Sequence, residues 1–209
     1  MKDKPDFPPV NWPRALLWIA LCTVLLAAAF FLDEPVHQWV RAHYNERLEH
    51  IARAISLWGD APMHIVVALL GTLACLALGN RRWTLILATI LIACLIGGIL
   101  HPTIKNLAGR SRPNVKVQVG WRGPMFEQKY QSFPSGHTTV TSAFFATLLM
   151  VRRRLGLALL PIPLLIASTR VYLSAHWLSD VIAGVILGWC CALIAWRMMR
   201  ARYARLTSD

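Results

Sequence analysis

The chain has 209 residues, of which 56% are hydrophobic and only 15% charged. That apolar excess over the roughly 45–50% of soluble domains excludes an ordinary water-soluble globule and a disordered chain, and points to a membrane protein forming one domain over residues 1–209. The net charge of +12 comes from short basic clusters between apolar runs, the pattern of membrane-protein loops and not of a nucleic-acid surface.

A bilayer-spanning helix needs about 20 mostly apolar residues. Six stretches qualify, so the chain reads as all-α and polytopic, with six transmembrane helices near Ala15–Leu32, Pro62–Leu78, Thr84–Ile104, His137–Val151, Leu155–Ser174 and Leu178–Trp196. The first has features of a secretory leader, with basic residues before it and Ala27-Ala28-Ala29 within it; retention as a span is the expectation. Between the first two stretches, Val36, Val40, Tyr44, Leu48, Ile51, Ile55 and Trp58 recur at steps of three or four, which predicts an amphipathic helix over Pro35–Asp60, lying in the outer interface or packed on the bundle as a solvated connector. The fourth stretch is short and polar at its start, as expected of a helix facing other helices. The fifth holds Pro161 and Pro163, which membrane helices tolerate. The sixth carries Gly184 and Gly188, a spacing that suits close helix packing. Cys22, Cys75, Cys94, Cys190 and Cys191 all lie in apolar runs without metal-site spacing and read as free thiols.

The short loops around Arg81 and Arg82 and around Arg152, Arg153 and Arg154 are densely basic, which puts them inside the cell. Lys2, Lys4 and Arg14 then join Arg197, Arg200, Arg202 and Arg205 on that side, and both termini are cytoplasmic. Trp12, Trp58, Trp83, Trp177 and Trp196 fall near the span ends, where an aromatic belt is expected.

Three polar clusters interrupt this apolar chain, and all fall on the outer face. The first, after the third span, holds Lys105, Arg110, Arg112 and Pro113, and concentrates positive charge suited to phosphate oxygens or to anionic headgroups. The second, Pro134-Ser135-Gly136-His137, opens the fourth span; a helix start offers free N–H groups to an anion, and glycine lets the backbone approach it. The third holds Thr169 and Arg170, then His176 and Asp180, four apart and so on one helical face, where a carboxylate can orient an imidazole. Cations, histidines, a carboxylate and a helix N-terminus on one face form an inventory for phosphoryl transfer.

The order and spacing of these clusters resemble the type 2 phosphatidic acid phosphatase (PAP2) superfamily of membrane lipid phosphatases: Lys105 with Arg112-Pro113, then Pro134-Ser135-Gly136-His137, then Arg170, His176 and Asp180. The departure is Thr169, where the family usually has Ser. The resemblance implies a PAP2-type helical core in which His176 attacks phosphorus and forms a phosphohistidine. Asp180 holds His176, and His137 protonates the leaving oxygen and then activates water. Lys105, Arg112, Ser135, Gly136 and Arg170 bind the phosphate. It implies no metal and no cofactor, and the chain lacks a carboxylate cluster suited to Mg²⁺.

The expected partner is therefore a lipid phosphate in the bilayer, with no nucleic acid, and the expected place is a bacterial inner membrane with the site facing the periplasm. Undecaprenyl diphosphate, phosphatidylglycerol phosphate and phosphatidic acid are candidate substrates, and lipid A is an alternative. The loop Asn114–Phe133 is expected to shape the headgroup entrance. A non-catalytic transport or lipid-binding protein is a different class, disfavoured by the lack of repeat symmetry. A haloperoxidase is disfavoured by the membrane spans.

Overall fold

The computed structural model describes residues 12–115 and 120–208; Lys2, Lys4 and residues 116–119 of the loop above lie outside the described residues. Eight α-helices run in chain order: α1 (Trp12–Ala42), α2 (Glu46–Trp58), α3 (Ala61–Ala77), α4 (Arg81–Ala108), α5 (Gly136–Val151), α6 (Arg153–Ala158), α7 (Pro161–Tyr172) and α8 (Leu178–Ser208). One 3₁₀ turn, Gln128–Tyr130, sits in the long loop before α5. By length and apolar character, α1, α4, the pair α6–α7 over Arg153–Tyr172 and α8 over Leu178–Ala204 can each cross a membrane, and α2 with α3 can form a fifth span bent by 43°. At 16 residues, α5 is a shorter apolar helix.

The centre of the bundle is α5, packed against α3, α4, α7 and α8. It buries Thr138, Thr139, Thr141 and Thr147 among apolar neighbours. Their hydroxyls are not left bare: Thr139 donates to the Ser135 carbonyl at 2.8 Å and Thr147 to the Ala143 carbonyl at 2.7 Å. This local bonding lets a polar helix sit at the core without unsatisfied groups. Against it α4 presents the small residues Ala93, Cys94 and Gly97. Two glycines of α8 make the other close approach. A Cβ on Gly184 would stand 2.8 Å from the Ser135 carbonyl oxygen, and one on Gly188 only 2.5 Å from that of Thr139.

The stretch 35–60 differs from the single amphipathic helix expected. Residues up to Ala42 continue α1, the chain breaks at 43–45, and α2 then leads into α3. The break is held locally. Asn45 caps α2 by accepting from the Leu48 amide at 3.2 Å, and the Tyr172 hydroxyl accepts from the Asn45 amide at 2.9 Å. A periodic pattern of threes and fours runs through such a break unchanged, so periodicity alone did not reveal it. Trp177 also departs from the expected belt: it is buried, and its indole N–H donates to the Ser111 carbonyl at 2.9 Å. All five cysteines are free thiols.

Gly188→Leu is expected to lower stability by about 1–3 kcal/mol, because the new side chain meets α5 backbone that cannot step aside. Thermal unfolding in detergent micelles measures this, with Gly98→Ala as the control, where a Cβ meets only the Ile65 side chain at an ordinary 3.6 Å.

Candidate active site

The three clusters meet at one end of the bundle, brought there by helix ends. Lys105 lies in the last turn of α4, which Gly109 closes in the left-handed conformation at φ 58°, its N–H donating to the Lys105 carbonyl. No side chain fits at Gly109, since a Cβ would lie 1.9 Å from the Gly123 carbonyl oxygen. The next residues are tied to the far side of the long loop: the Arg112 amide donates to the Lys129 carbonyl, and the Ser132 amide to that of Arg110. Ser135 begins α5, and its amide donates to the Asp180 carbonyl at 2.9 Å, locking the starts of α5 and α8 together. Ala175 and His176 both donate backbone N–H groups to the Arg170 carbonyl, so the turn between α7 and α8 is a tight one.

His176 and Asp180 are buried, at 2% and 0% exposure. The Asp180 Oδ2 atom accepts from the Ser132 hydroxyl at 2.5 Å and from the Trp177 amide at 2.9 Å, and stands 3.5 Å from His176 Nδ1. That nitrogen has no hydrogen-bond partner among the described residues. Nδ1 therefore faces the carboxylate and leaves Nε2 as the ring nitrogen free to react. Burial holds the His176 imidazole well below its ordinary value, at about 4, although Asp180 pulls the other way.

Lys105, Arg112 and Arg170 lie close enough to repel one another. None of the three forms an ion pair with a described residue. Arg112 donates from Nε to the Gln128 carbonyl, Arg170 from one terminal nitrogen to the Ser56 hydroxyl at 2.5 Å, and Arg170 Nε is buried without a partner. Converging cations that are not tied into ion pairs are the kind of group that can receive an anion. Ser135 is fully buried beside them with its hydroxyl accepting from Thr138, and Gly136 lies against the His101 ring, which a Cβ would approach to 2.7 Å. His137 is half-buried, feels the charge of Arg170, Lys105 and His176, and stands 4.0 Å from Asp60.

Arg110 corrects the expectation of a surface cation. It is 7% exposed, and its guanidinium donates at 2.6 Å to each of Asp33, Ser179 and Asp180. The rings of Phe30, Trp121 and Trp177 surround it within 5.1–5.6 Å. Cut off from solvent and tied to two carboxylates, it is not a free phosphate ligand. The sequence reading also passed over Asp33, Ser132, Ser179, Ser56 and Asp60. Asp33 had a signal, a carboxylate at the end of an apolar run; the serines had none. Among the described residues no three of His, Cys, Asp and Glu converge in a way that could hold a metal ion.

The PAP2 superfamily profile matches residues 81–204, more than half of the chain. The chain belongs to the PAP2 superfamily. As a PAP2 protein it is an integral-membrane phosphatase of the lipid phosphatase group. It is similar to a lipid A 1-phosphatase of Rhizobium johnstonii, 29% identical over 201 residues covering 87% of this chain and 78% of that one. It is also similar to a decaprenylphosphoryl-5-phosphoribose phosphatase of Mycobacterium tuberculosis, 35% identical over 145 residues covering 66% of this chain and 72% of the relative. Among solved structures, the PAP2-type phosphatidylglycerolphosphate phosphatase of Bacillus subtilis shares the fold, with a TM-score of 0.62 at 18% identity over 88% of this chain and 94% of that one.

Ser132→Ala leaves the buried Asp180 carboxylate short of a donor and is expected to cost about 1–3 kcal/mol in thermal unfolding, while Ser132→Thr, which keeps the hydroxyl, costs less.

Proposed function

We propose that this PAP2 protein removes a phosphate from a lipid through a phosphohistidine on His176. The observation that carries the reading is the three mutually repelling cations Lys105, Arg112 and Arg170, none in an ion pair with a described residue, gathered beside a buried His–Asp pair. Those cations bind the phosphate oxygens, with Ser135 and the Gly136 amide at the start of α5. The lone pair on His176 Nε2 attacks phosphorus, and the P–O bond to the lipid breaks. His137, which takes up a proton from solvent once the phosphate anion offsets the neighbouring cations, gives that proton to the leaving oxygen. The neutral His137 then takes a proton from water as that water attacks the phosphohistidine, releasing inorganic phosphate and restoring His176. Asp180 orients His176 and stabilises the positive imidazole of the intermediate. No step draws on a metal or cofactor.

The chain crosses the membrane six times on this reading, with α3, α5 and the α6–α7 pair joining α1, α4 and α8, and folds as one domain. The basic loops at Arg81–Arg82 and Arg152–Arg154 lie on the cytoplasmic side of a bacterial inner membrane, so the site opens on the outer face. For the substrate, similarity to a lipid A 1-phosphatase over 87% of the chain favours a phosphate borne by a lipid-linked sugar, such as that of lipid A. Undecaprenyl diphosphate, phosphatidylglycerol phosphate and phosphatidic acid are the comparison substrates.

Phosphate release across that panel tests the substrate: lipid A should turn over fastest, and a clear preference for undecaprenyl diphosphate would overturn the assignment. His176→Ala should remove activity on every member while the protein still unfolds cooperatively, and full activity would sink the mechanism. Vanadate, a mimic of pentacoordinate phosphorus, should inhibit, and excess EDTA should not. Because His176 is neutral above about pH 4, loss of its nucleophile should set in only near that pH, well below the ordinary histidine range.

A further inference from the structure

We infer that Asp33 on α1, acting through Arg110, is a positioning residue for the His176–Asp180 pair: it draws part of the Arg110 charge away, so that Asp180 stays negative enough to act on His176. The inference rests on the proposed nucleophilic role of His176. The geometry is a buried relay. Arg110 donates from one terminal nitrogen to Asp180 Oδ1 and from the other to Asp33 Oδ2, both at 2.6 Å. Ser179 ties the same carboxylate from the other side, its amide donating to Asp33 Oδ1 at 2.8 Å and its hydroxyl to Oδ2 at 2.6 Å. Asp33 is 6% exposed, so water does not screen this exchange.

The electrostatic consequence follows from which charges reach His176. They come from Asp180 on α8, Lys105 on α4, Arg112 in the long loop and His137 on α5. Only Asp180 is negative. The other charges oppose any positive charge on the ring, including the one that forms when phosphorus bonds to Nε2. An Arg110 paired with Asp180 alone would cancel the one group that favours that charge. Shared between two carboxylates, the cluster of Asp33, Arg110 and Asp180 keeps a net negative charge. Arg110 also fixes Asp180 Oδ1, leaving Oδ2 directed at His176. Asp33 lies outside the residues 81–204 matched by the PAP2 profile, so the relay makes α1 part of the catalytic apparatus and not only a membrane anchor.

The sign of each substitution distinguishes this role from a structural one. In Asp33→Asn, Arg110 turns its charge on Asp180, so the His176 midpoint falls and kcat drops by at most about tenfold for each unit of that fall, with KM within about twofold. In Arg110→Gln the midpoint rises, and in Arg110→Lys it stays nearer the starting value. The double variant Asp33→Asn/Arg110→Gln matches Arg110→Gln, because Asp33 then has no cation to act through. ¹⁵N-histidine NMR titration of the full-length protein in micelles reads the midpoints, and ³²P trapping reads phosphohistidine formation. The double variant retains no unbalanced buried cation, so it also reports if Asp33→Asn alone does not fold. Shifts of the same sign in Asp33→Asn and Arg110→Gln, additive shifts in the double variant, or no shift would overturn the inference. Phosphate release by His176→Ala would instead overturn the mechanism beneath it.

Discussion

The guanidinium of Arg110 is the point on which the architecture of the site turns. A charge of that size, cut off from water, must be met by opposite charge and full hydrogen bonding, or its desolvation would unfold the protein. Meeting it requires α1 to deliver Asp33, α8 to deliver Ser179 and Asp180, and the end of α4 to stop at Gly109 so that Arg110 turns inward. Phe30, Trp121 and Trp177 close over the group and hold the water out. Three segments far apart in the chain are thus fixed relative to one another by one side chain. Such a network contributes little net stability, but it admits few alternative arrangements.

The cations proposed to bind phosphate show the opposite condition. Lys105, Arg112 and Arg170 are half-buried, mutually repelling and in no ion pair with a described residue, and Arg170 keeps a buried N–H with no described group to donate to. The folded protein carries this repulsion because α4, α7 and the long loop are held by contacts elsewhere, including the α5–α8 packing and the backbone bonds of the loop. An anion entering the space between these cations gains what the protein left unsatisfied. Satisfied charge in the scaffold and unsatisfied charge in the site stand two residues apart in the loop after α4, at Arg110 and Arg112.

Much of this was legible in the sequence. The apolar runs marked the helices because a bilayer admits few other structures, and the spacing from Lys105 to Asp180 marked the clusters because each sits at a helix end. The amphipathic stretch 35–60 was read as one helix, since a periodic pattern does not register a break that depends on Asn45 capping α2 and on Tyr172 reaching it from another helix. Trp177 was read as a belt residue from its place near a span end, whereas its indole N–H has a buried partner in Ser111.

What the sequence by itself determined was the membrane, the helices and the polar clusters that carry the family resemblance, because those follow from composition and from local spacing. Which cations remain free was decided only by tertiary structure. Arg110 and Arg112 are two residues apart and chemically alike. One is committed to a carboxylate 77 positions earlier in the chain and the other is not. No local pattern encodes that difference, because it depends on where α1 comes to rest against α8.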